Sequence, residues 1–180
     1  MQKKIVVFAG NECKKEKETY YYLLAYTTGK LLAEAGFIAV TGGGPGLMNE
    51  VSRGAIEAGG ETIGVCLNVP GRKHSAFLTK RIMFEKLTPR LEKLISLADG
   101  FLALPGGIGT LHEIAVVLAL KRKNEIAWDK PLIIIDKYYQ EFNIHLEKMK
   151  NEGFVDDYLD SLYIIAGSAK DALERLKLFL

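Results

Sequence analysis

The segment Pro105–Glu113 reads PGGIGTLHE and decides the fold class. The apolar residues 100–104 precede it, and apolar residues at helical spacing follow it over 111–118, which predicts a strand, a glycine-rich turn and a helix. Glycines let backbone N–H groups approach a ligand without a Cβ clash, and the first turn of a helix adds free N–H donors and a partial positive charge. The segment therefore predicts an anion site suited to a phosphate group.

Thr110 and Glu113 add side chains to this turn. Glu113 lies one helical turn into the predicted helix, on the same side as Thr110. A carboxylate there suits a sugar phosphate, whose ribose hydroxyls or reacting carbon it would approach. The same two residues also fit a capping box, in which Thr and Glu side chains satisfy the free amides at the helix start. Spacing favours neither interpretation, so a catalytic carboxylate and a helix cap both stay open.

A second segment of the same kind begins at the apolar run 37–40. It continues as TGGGPG over 41–46 and then as a helical pattern that starts at Leu47. One such turn can be purely structural, but two in a short chain favour a nucleotide or sugar-phosphate site. Asn49 and Glu50 fall in the first turn of this helix, where either reaches a ligand or caps the helix, with capping slightly preferred.

The rest of the chain alternates strand and helix patterns, which predicts an α/β fold of the Rossmann-like, three-layer type. We expect a single domain over residues 1–180, with a mostly parallel sheet of about six to seven strands and helices on both faces. Thr88 is expected to cap a helix with Pro89 at its first position, and Ser168 to cap the last helix. Ligands bind such sheets at the carboxyl ends of the strands, where Gly10, Gly42–Gly44 and Gly106–Gly109 fall.

Two basic features have two interpretations each. Arg90 falls in the first turn of a helix, where the positive helix end gives a cation no advantage. This placement hints at function, and the alternative is a surface arginine paired with Glu92 or Glu85. The polar loop 68–78 carries the basic residues 72–74. These could steer a phosphate, but a solvated cluster is the favoured interpretation because charged residues are mostly exposed.

Composition argues against several classes of protein. The 180 residues are 48% apolar and 26% charged, as in ordinary globular chains, and a net charge of +2 argues against nucleic acid or a membrane surface as partner. Cys13 and Cys66 make neither a disulfide framework nor a metal-ligand cluster. Because the sequence has no signal peptide or membrane span, we expect a cytoplasmic protein with reduced thiols. The residues Tyr20–Tyr22 favour packing or an interface over base stacking.

The stretches GGGPGLM at 42–48 and PGGIGTLHE at 105–113 together resemble the LOG family, long labelled "possible lysine decarboxylases". The resemblance extends over nearly the whole chain. It implies hydrolysis of the N-glycosidic bond of a nucleoside 5′-monophosphate, AMP or N6-modified AMP, to free base and ribose 5-phosphate. It also implies a homodimer or larger homo-oligomer, with no metal and no cofactor.

The resemblance further implies roles for individual residues. Glu113 matches the glutamate that ends the family's motif and would be catalytic, holding the ribose, stabilising an oxocarbenium-like charge or orienting water. Arg90 falls at the family's catalytic arginine and would position the nucleotide or assist departure of the base. The expected nucleotide-binding residues are Gly10, Asn11, Gly43, Gly44, Gly46, Met48, Asn49, Gly106, Gly107, Gly109 and Thr110.

The chain also departs from the family pattern. The family often has Gly-Ser after its first strand, whereas this chain has Gly10, Asn11 and Glu12, and a carboxylate at Glu12 would repel a phosphate. The alternative function is non-catalytic binding of a nucleotide or a phosphorylated cofactor, as in the related molybdenum-cofactor carriers, which would not require both Arg90 and Glu113. Lysine decarboxylation itself finds no support, because no Schiff-base lysine for pyridoxal phosphate is marked.

Overall fold

The sheet is built around its central strand β1, whose apolar residues 5–8 are buried. The computed structural model describes residues 2–180. Over that range seven parallel strands form one sheet in the order β4-β3-β2-β1-β5-β6-β7. The strands are β1 Lys4–Phe8, β2 Ile38–Thr41, β3 Thr62–Leu67, β4 Lys80–Phe84, β5 Gly100–Ala103, β6 Leu132–Ile135 and β7 Ile164–Ala166.

Helices cover both faces of this sheet. They are α1 Lys15–Glu34, α2 Leu47–Glu57, α3 Leu87–Leu97, α4 Ile108–Arg122, α5 Gln140–Asn151 and α6 Ala169–Lys177, with short 3-10 helices at Lys137–Tyr139 and Asp157–Ser161. Alternate side chains of β1 enter different cores, because successive residues of a strand point to opposite faces. Val6 and Phe8 pack with α3, α4 and α5, whereas Ile5 and Val7 pack with α1, α2 and α6. The predicted Rossmann-like, three-layer α/β fold is therefore confirmed.

The strand order creates a topological switch at β1. The chain proceeds outward from β1 through β2, β3 and β4, and then returns to place β5 on the other side of β1. Val6 of β1 accordingly pairs with Val40 on one side and Phe101 on the other. Connections leave β1 and β5 in opposite directions here, which opens a crevice at the carboxyl ends of the strands where ligands bind in this fold class.

Of the two helix caps predicted from the sequence, the structure confirms one. The prediction that Ser168 caps the last helix is confirmed, since its hydroxyl accepts a hydrogen bond from the Asp171 N–H at 3.2 Å. The prediction that Thr88 caps a helix is wrong. Helix α3 begins at Leu87, so Thr88 and Pro89 already lie in its first turn. None of the helices in residues 2–180 is both long and apolar enough to cross a membrane.

Candidate functional site

A cleft of about 540 Å³ opens at the carboxyl ends of β1 and β5. Its walls come from the loops after β1, β3, β5 and β6 and from the first turns of α2, α3 and α4. The residues that line it are Ala9, Gly10, Asn11, Glu12, Cys13, Tyr21, Leu47, Met48, Leu67, Arg72, Leu87, Arg90, Pro105, Gly106, Gly107, Gly109, Thr110, Glu113 and Tyr138. The structure thus brings the two predicted catalytic residues and most of the predicted binding residues to one place.

The glycine turn after β5 leads directly into α4. Gly107 occupies the N-cap position, and no side chain caps the helix. The space beside Gly107 and Gly109 is open to 4 Å from a Cβ built on either residue. Thr110 is already the third residue of α4, so the capping-box interpretation of Thr110 and Glu113 is wrong. Free amides at a helix start beside open space are suited to an anion.

Arg90 and Glu113 form a buried ion pair at the floor of the cleft. Arg90 Nη1 lies 3.4 Å from Glu113 Oε1, and the two side chains are only 9% and 12% exposed. The Arg90 Nε–H also donates to the carbonyl oxygen of Val65 at 2.8 Å. The alternative of a surface arginine paired with Glu92 or Glu85 is therefore wrong. The hydrogen bond to β3 holds the guanidinium with Nη1 toward Glu113 on α4 and Nη2 against Gly42.

Burial controls the charge of Glu113. Removal from water raises the pKa of this carboxyl to about 7, and the guanidinium of Arg90 opposes that rise without cancelling it. Glu113 consequently exists in both protonation states near neutral pH. A carboxyl of this kind can exchange a proton with a bound water, or stabilise positive charge as the carboxylate.

The loop after β2 shapes the cleft more than it lines it. Gly46 has φ of +64°, and a Cβ there would lie 1.1 Å from the Asn11 carbonyl oxygen, which accepts a hydrogen bond from the Leu47 N–H at 2.8 Å. Gly43 has φ of +65° and faces the Cys66 sulfur. Only glycine fits these two positions, because side chains disfavour positive φ and the neighbouring atoms leave no room.

The other predicted residues of this segment fall in different places. Met48 lines the cleft. Gly44 lies behind that wall, against the side chains of Met48, Asn11 and Arg72. Asn49 lies outside the cleft lining, and its amide donates to Glu50 Oε1 at 3.3 Å. No side chain caps α2, so the capping interpretation of Asn49 and Glu50 is wrong.

Sequence reasoning missed an aromatic support for the glycine turn. The Tyr138 hydroxyl donates to the Gly106 carbonyl oxygen at 2.9 Å, and the Tyr138 N–H donates to Asp136 Oδ1 at 2.9 Å. Asp136 has φ of +84°, a conformation that costs a non-glycine residue about 1–3 kcal/mol. Its carboxylate also accepts a hydrogen bond from the Tyr20 hydroxyl. The position of Asp136 at the carboxyl end of a buried strand was the available signal.

No group of three or more His, Cys, Asp or Glu residues within 2–180 is placed to hold a metal ion. The parallel sheet, the cleft at its switch point and the glycine turns define a Rossmann-like α/β protein with a glycine-lined crevice. The chain belongs to the LOG family, described as "Possible lysine decarboxylase", whose family model matches residues 48–176. The resemblance stated from the sequence is thereby confirmed.

Plant and bacterial proteins are among the relatives of this chain. The chain is 30% identical over 178 residues to a protein of Oryza sativa subsp. japonica named "Probable cytokinin riboside 5′-monophosphate phosphoribohydrolase LOGL5", covering 97% of this chain and 72% of that protein. It is 28% identical over 182 residues to the cytokinin riboside 5′-monophosphate phosphoribohydrolase of Rhodococcoides fascians, covering 97% and 89%.

A solved structure shares the fold over the whole chain. The molybdenum cofactor binding protein from the phototrophic bacterium Rippkaea orientalis superposes with a TM-score of 0.74 at 26% identity, covering 99% of this chain and 97% of that one. The fold is therefore common to proteins named for hydrolysis and to one named for cofactor binding, so the choice between these functions rests on the residues of the cleft.

Proposed function

We propose that this protein hydrolyses the N-glycosidic bond of a nucleoside 5′-monophosphate, AMP or an N6-modified AMP, to free base and ribose 5-phosphate. The observation that carries the proposal is the buried pair of Arg90 and Glu113 in the same cleft as an uncapped, glycine-rich helix start. The names of the relatives, phosphoribohydrolases that act on cytokinin riboside 5′-monophosphate, support the same reaction.

The phosphate is placed on the turn that runs from Gly106 to Thr110. Backbone amides and the positive end of α4 favour an anion there. Glu113 follows Thr110 by three residues on α4, which puts it on the same helix face. A ribose 5-phosphate bound through its phosphate would then extend along the cleft toward the carboxyl of Glu113.

The reaction follows a dissociative course. The bond between ribose C1′ and the base nitrogen breaks, and the base leaves with the bonding electron pair and takes up a proton. Positive charge develops on the ribose ring, and the largely buried Glu113 carboxylate stabilises it at short range. Water then adds to C1′ and gives its proton to Glu113, whose pKa of about 7 suits a general base at neutral pH. Glu113 releases this proton to solvent, which balances the proton that the base takes up from solvent.

Arg90 has two tasks in this mechanism. Its guanidinium lowers the pKa that burial alone would give Glu113, so that the carboxylate is present at neutral pH. Its Nε–H is held by the Val65 carbonyl and its Nη1 faces Glu113, so the fixed guanidinium positions the nucleotide and favours departure of the base through its charge.

Purified protein incubated with AMP and N6-modified AMP tests the proposal through chromatographic release of free base. Glu113→Gln and Arg90→Ala should each lower the rate at least about a hundredfold, with circular dichroism confirming that both variants fold. His112→Ala is the matched control, because His112 is an exposed neighbour on α4 outside the cleft lining. Binding of these nucleotides without cleavage of any of them would refute hydrolysis and favour the binding-protein alternative.

We also propose a homodimer or larger homo-oligomer on the strength of the family resemblance. Sedimentation velocity at micromolar concentration should show a species of at least twice the 20.0 kDa chain mass. A species of the monomer mass at that concentration would overturn the proposed assembly.

A further inference from the structure

We propose that Arg72 is the cation that binds the phosphate group of the substrate, opposite the amides of the glycine turn. This inference rests on the proposed function in its choice of a phosphorylated ligand. It assigns to Arg72 a contact with that ligand and gives the loop between β3 and β4 a direct part in binding.

The contacts of Arg72 place its guanidinium on the wall of the cleft. Its Nη2–H donates to Asn11 Oδ1 at 3.0 Å, and a Cβ built on Gly44 would lie 3.0 Å from the same nitrogen. Asn11 follows Gly10, whose N–H donates to the Pro105 carbonyl oxygen at 3.0 Å. The guanidinium is therefore held beside β1, at the edge of the cleft that adjoins the glycine turn.

The remaining N–H groups of Arg72 are available for a ligand. The bond to Asn11 is the one hydrogen bond that the Arg72 side chain makes within residues 2–180, and it forms no ion pair with a carboxylate of that range. A planar guanidinium with free N–H groups matches the geometry of a phosphate and can bind it with two parallel hydrogen bonds.

The charges around the cleft leave this task to Arg72. Four of the described residues that line it have acidic or basic side chains, namely Glu12, Arg72, Arg90 and Glu113. Arg90 is engaged by Glu113 and by the Val65 carbonyl. Glu12 would repel a phosphate, and Arg72 is the remaining cation to offset it. Without Arg72 the charged side chains of the cleft would have a net negative charge, which would repel a doubly charged phosphate.

Calorimetric titration with ribose 5-phosphate tests the assignment, because binding of this ligand requires no cleavage. Arg72→Ala should weaken ribose 5-phosphate binding about ten- to a hundredfold, as expected for loss of a charge-assisted hydrogen bond, and leave binding of adenosine unchanged. Lys73→Ala removes the same charge from the adjacent, exposed position outside the cleft lining and should change binding less than about twofold. Glu12→Gln should tighten binding several-fold, because it removes a repulsive carboxylate.

The outcomes separate this inference from the proposed reaction. If the wild type binds ribose 5-phosphate but cleaves no nucleotide, hydrolysis fails, while a selective loss in Arg72→Ala still supports the phosphate contact. Equal binding of ribose 5-phosphate by Arg72→Ala and wild type overturns the assignment even where AMP is hydrolysed. Equal weakening of adenosine and ribose 5-phosphate would make Arg72 a structural residue of its loop, and a wild type that binds no phosphorylated ligand would also overturn it.

Discussion

Glu113→Gln should stabilise the folded protein at alkaline pH while it abolishes activity. The change removes the ionisable carboxyl and keeps its size and its hydrogen-bonding capacity toward Arg90. In the wild type, burial raises the pKa of Glu113 from its ordinary 4.5 to about 7. The folded chain therefore keeps a proton between these two values that the unfolded chain has released, so the stability of the wild type falls as pH rises through this window.

The size of the effect follows from the two pKa values. Above about pH 7 both states are ionised, and the carboxyl destabilises the fold by about 3 kcal/mol. Because glutamine does not titrate, the difference in unfolding free energy between variant and wild type should grow by about 2–3 kcal/mol from about pH 5 to about pH 8. Contributions of all other titrating groups cancel in that difference.

Urea unfolding followed by circular dichroism at both pH values measures the two differences. Glu92→Gln is the control, since Glu92 is exposed on α3, and its difference from wild type should stay within about 0.5 kcal/mol at either pH. The difference in unfolding free energy between Glu113→Gln and wild type could instead stay constant or shrink as pH rises. Either result would show that burial does not dominate the pKa of Glu113. The proton-transfer role assigned to it would then lose its basis.

Three further outcomes are expected. The kcat/KM of the wild type for AMP should rise as pH passes about 7, because Glu113 acts as the carboxylate; a profile flat across that range contradicts this. Gly46→Ala should lower the unfolding free energy in urea by about 3 kcal/mol or more, because its Cβ would lie 1.1 Å from a carbonyl oxygen. Gly59→Ala is the control and should lower it by about 1 kcal/mol, because Gly59 has a φ of +78° but open space around it. Tyr138→Phe should raise KM about three- to tenfold with little change in kcat, because the glycine turn loses its hydrogen bond at the Gly106 carbonyl; an unchanged KM in steady-state assays would show that the turn holds its shape without it.

The layer architecture was predictable because it depends on local pattern. Alternating strand and helix signals specify a parallel sheet covered on both faces, and the structure has such a sheet with helices on both faces. The order of the strands was not predictable in this way. It depends on which strand the chain returns to after β4, and no residue near Gly100 encodes that choice.

The candidate site was predictable where its residues share one segment. Residues 105–113 contain both the glycine turn and Glu113, so their proximity is local. Whether Thr110 and Glu113 cap the helix depends on where the helix begins, and the glycine turn moves that start to Ile108. Arg72 and Tyr138 reach the cleft through contacts with Asn11 and Gly106, 61 and 32 residues away along the chain, and no sequence period marks such contacts.

The direction of the Glu113 pKa also argues that the ion pair with Arg90 serves the reaction and not the fold. A carboxyl that an arginine stabilises on balance has a lowered pKa, whereas burial of Glu113 outweighs the attraction and leaves its pKa raised. The pair also requires glycine at position 42, because a Cβ there would lie 2.0 Å from Arg90 Nη2. An arrangement that costs stability and constrains a second segment of the chain is typical of a functional site. If the pair served the fold, replacing both residues by apolar side chains of similar size would destabilise the protein and leave release of the base from AMP intact; we expect stabilisation with complete loss of that release.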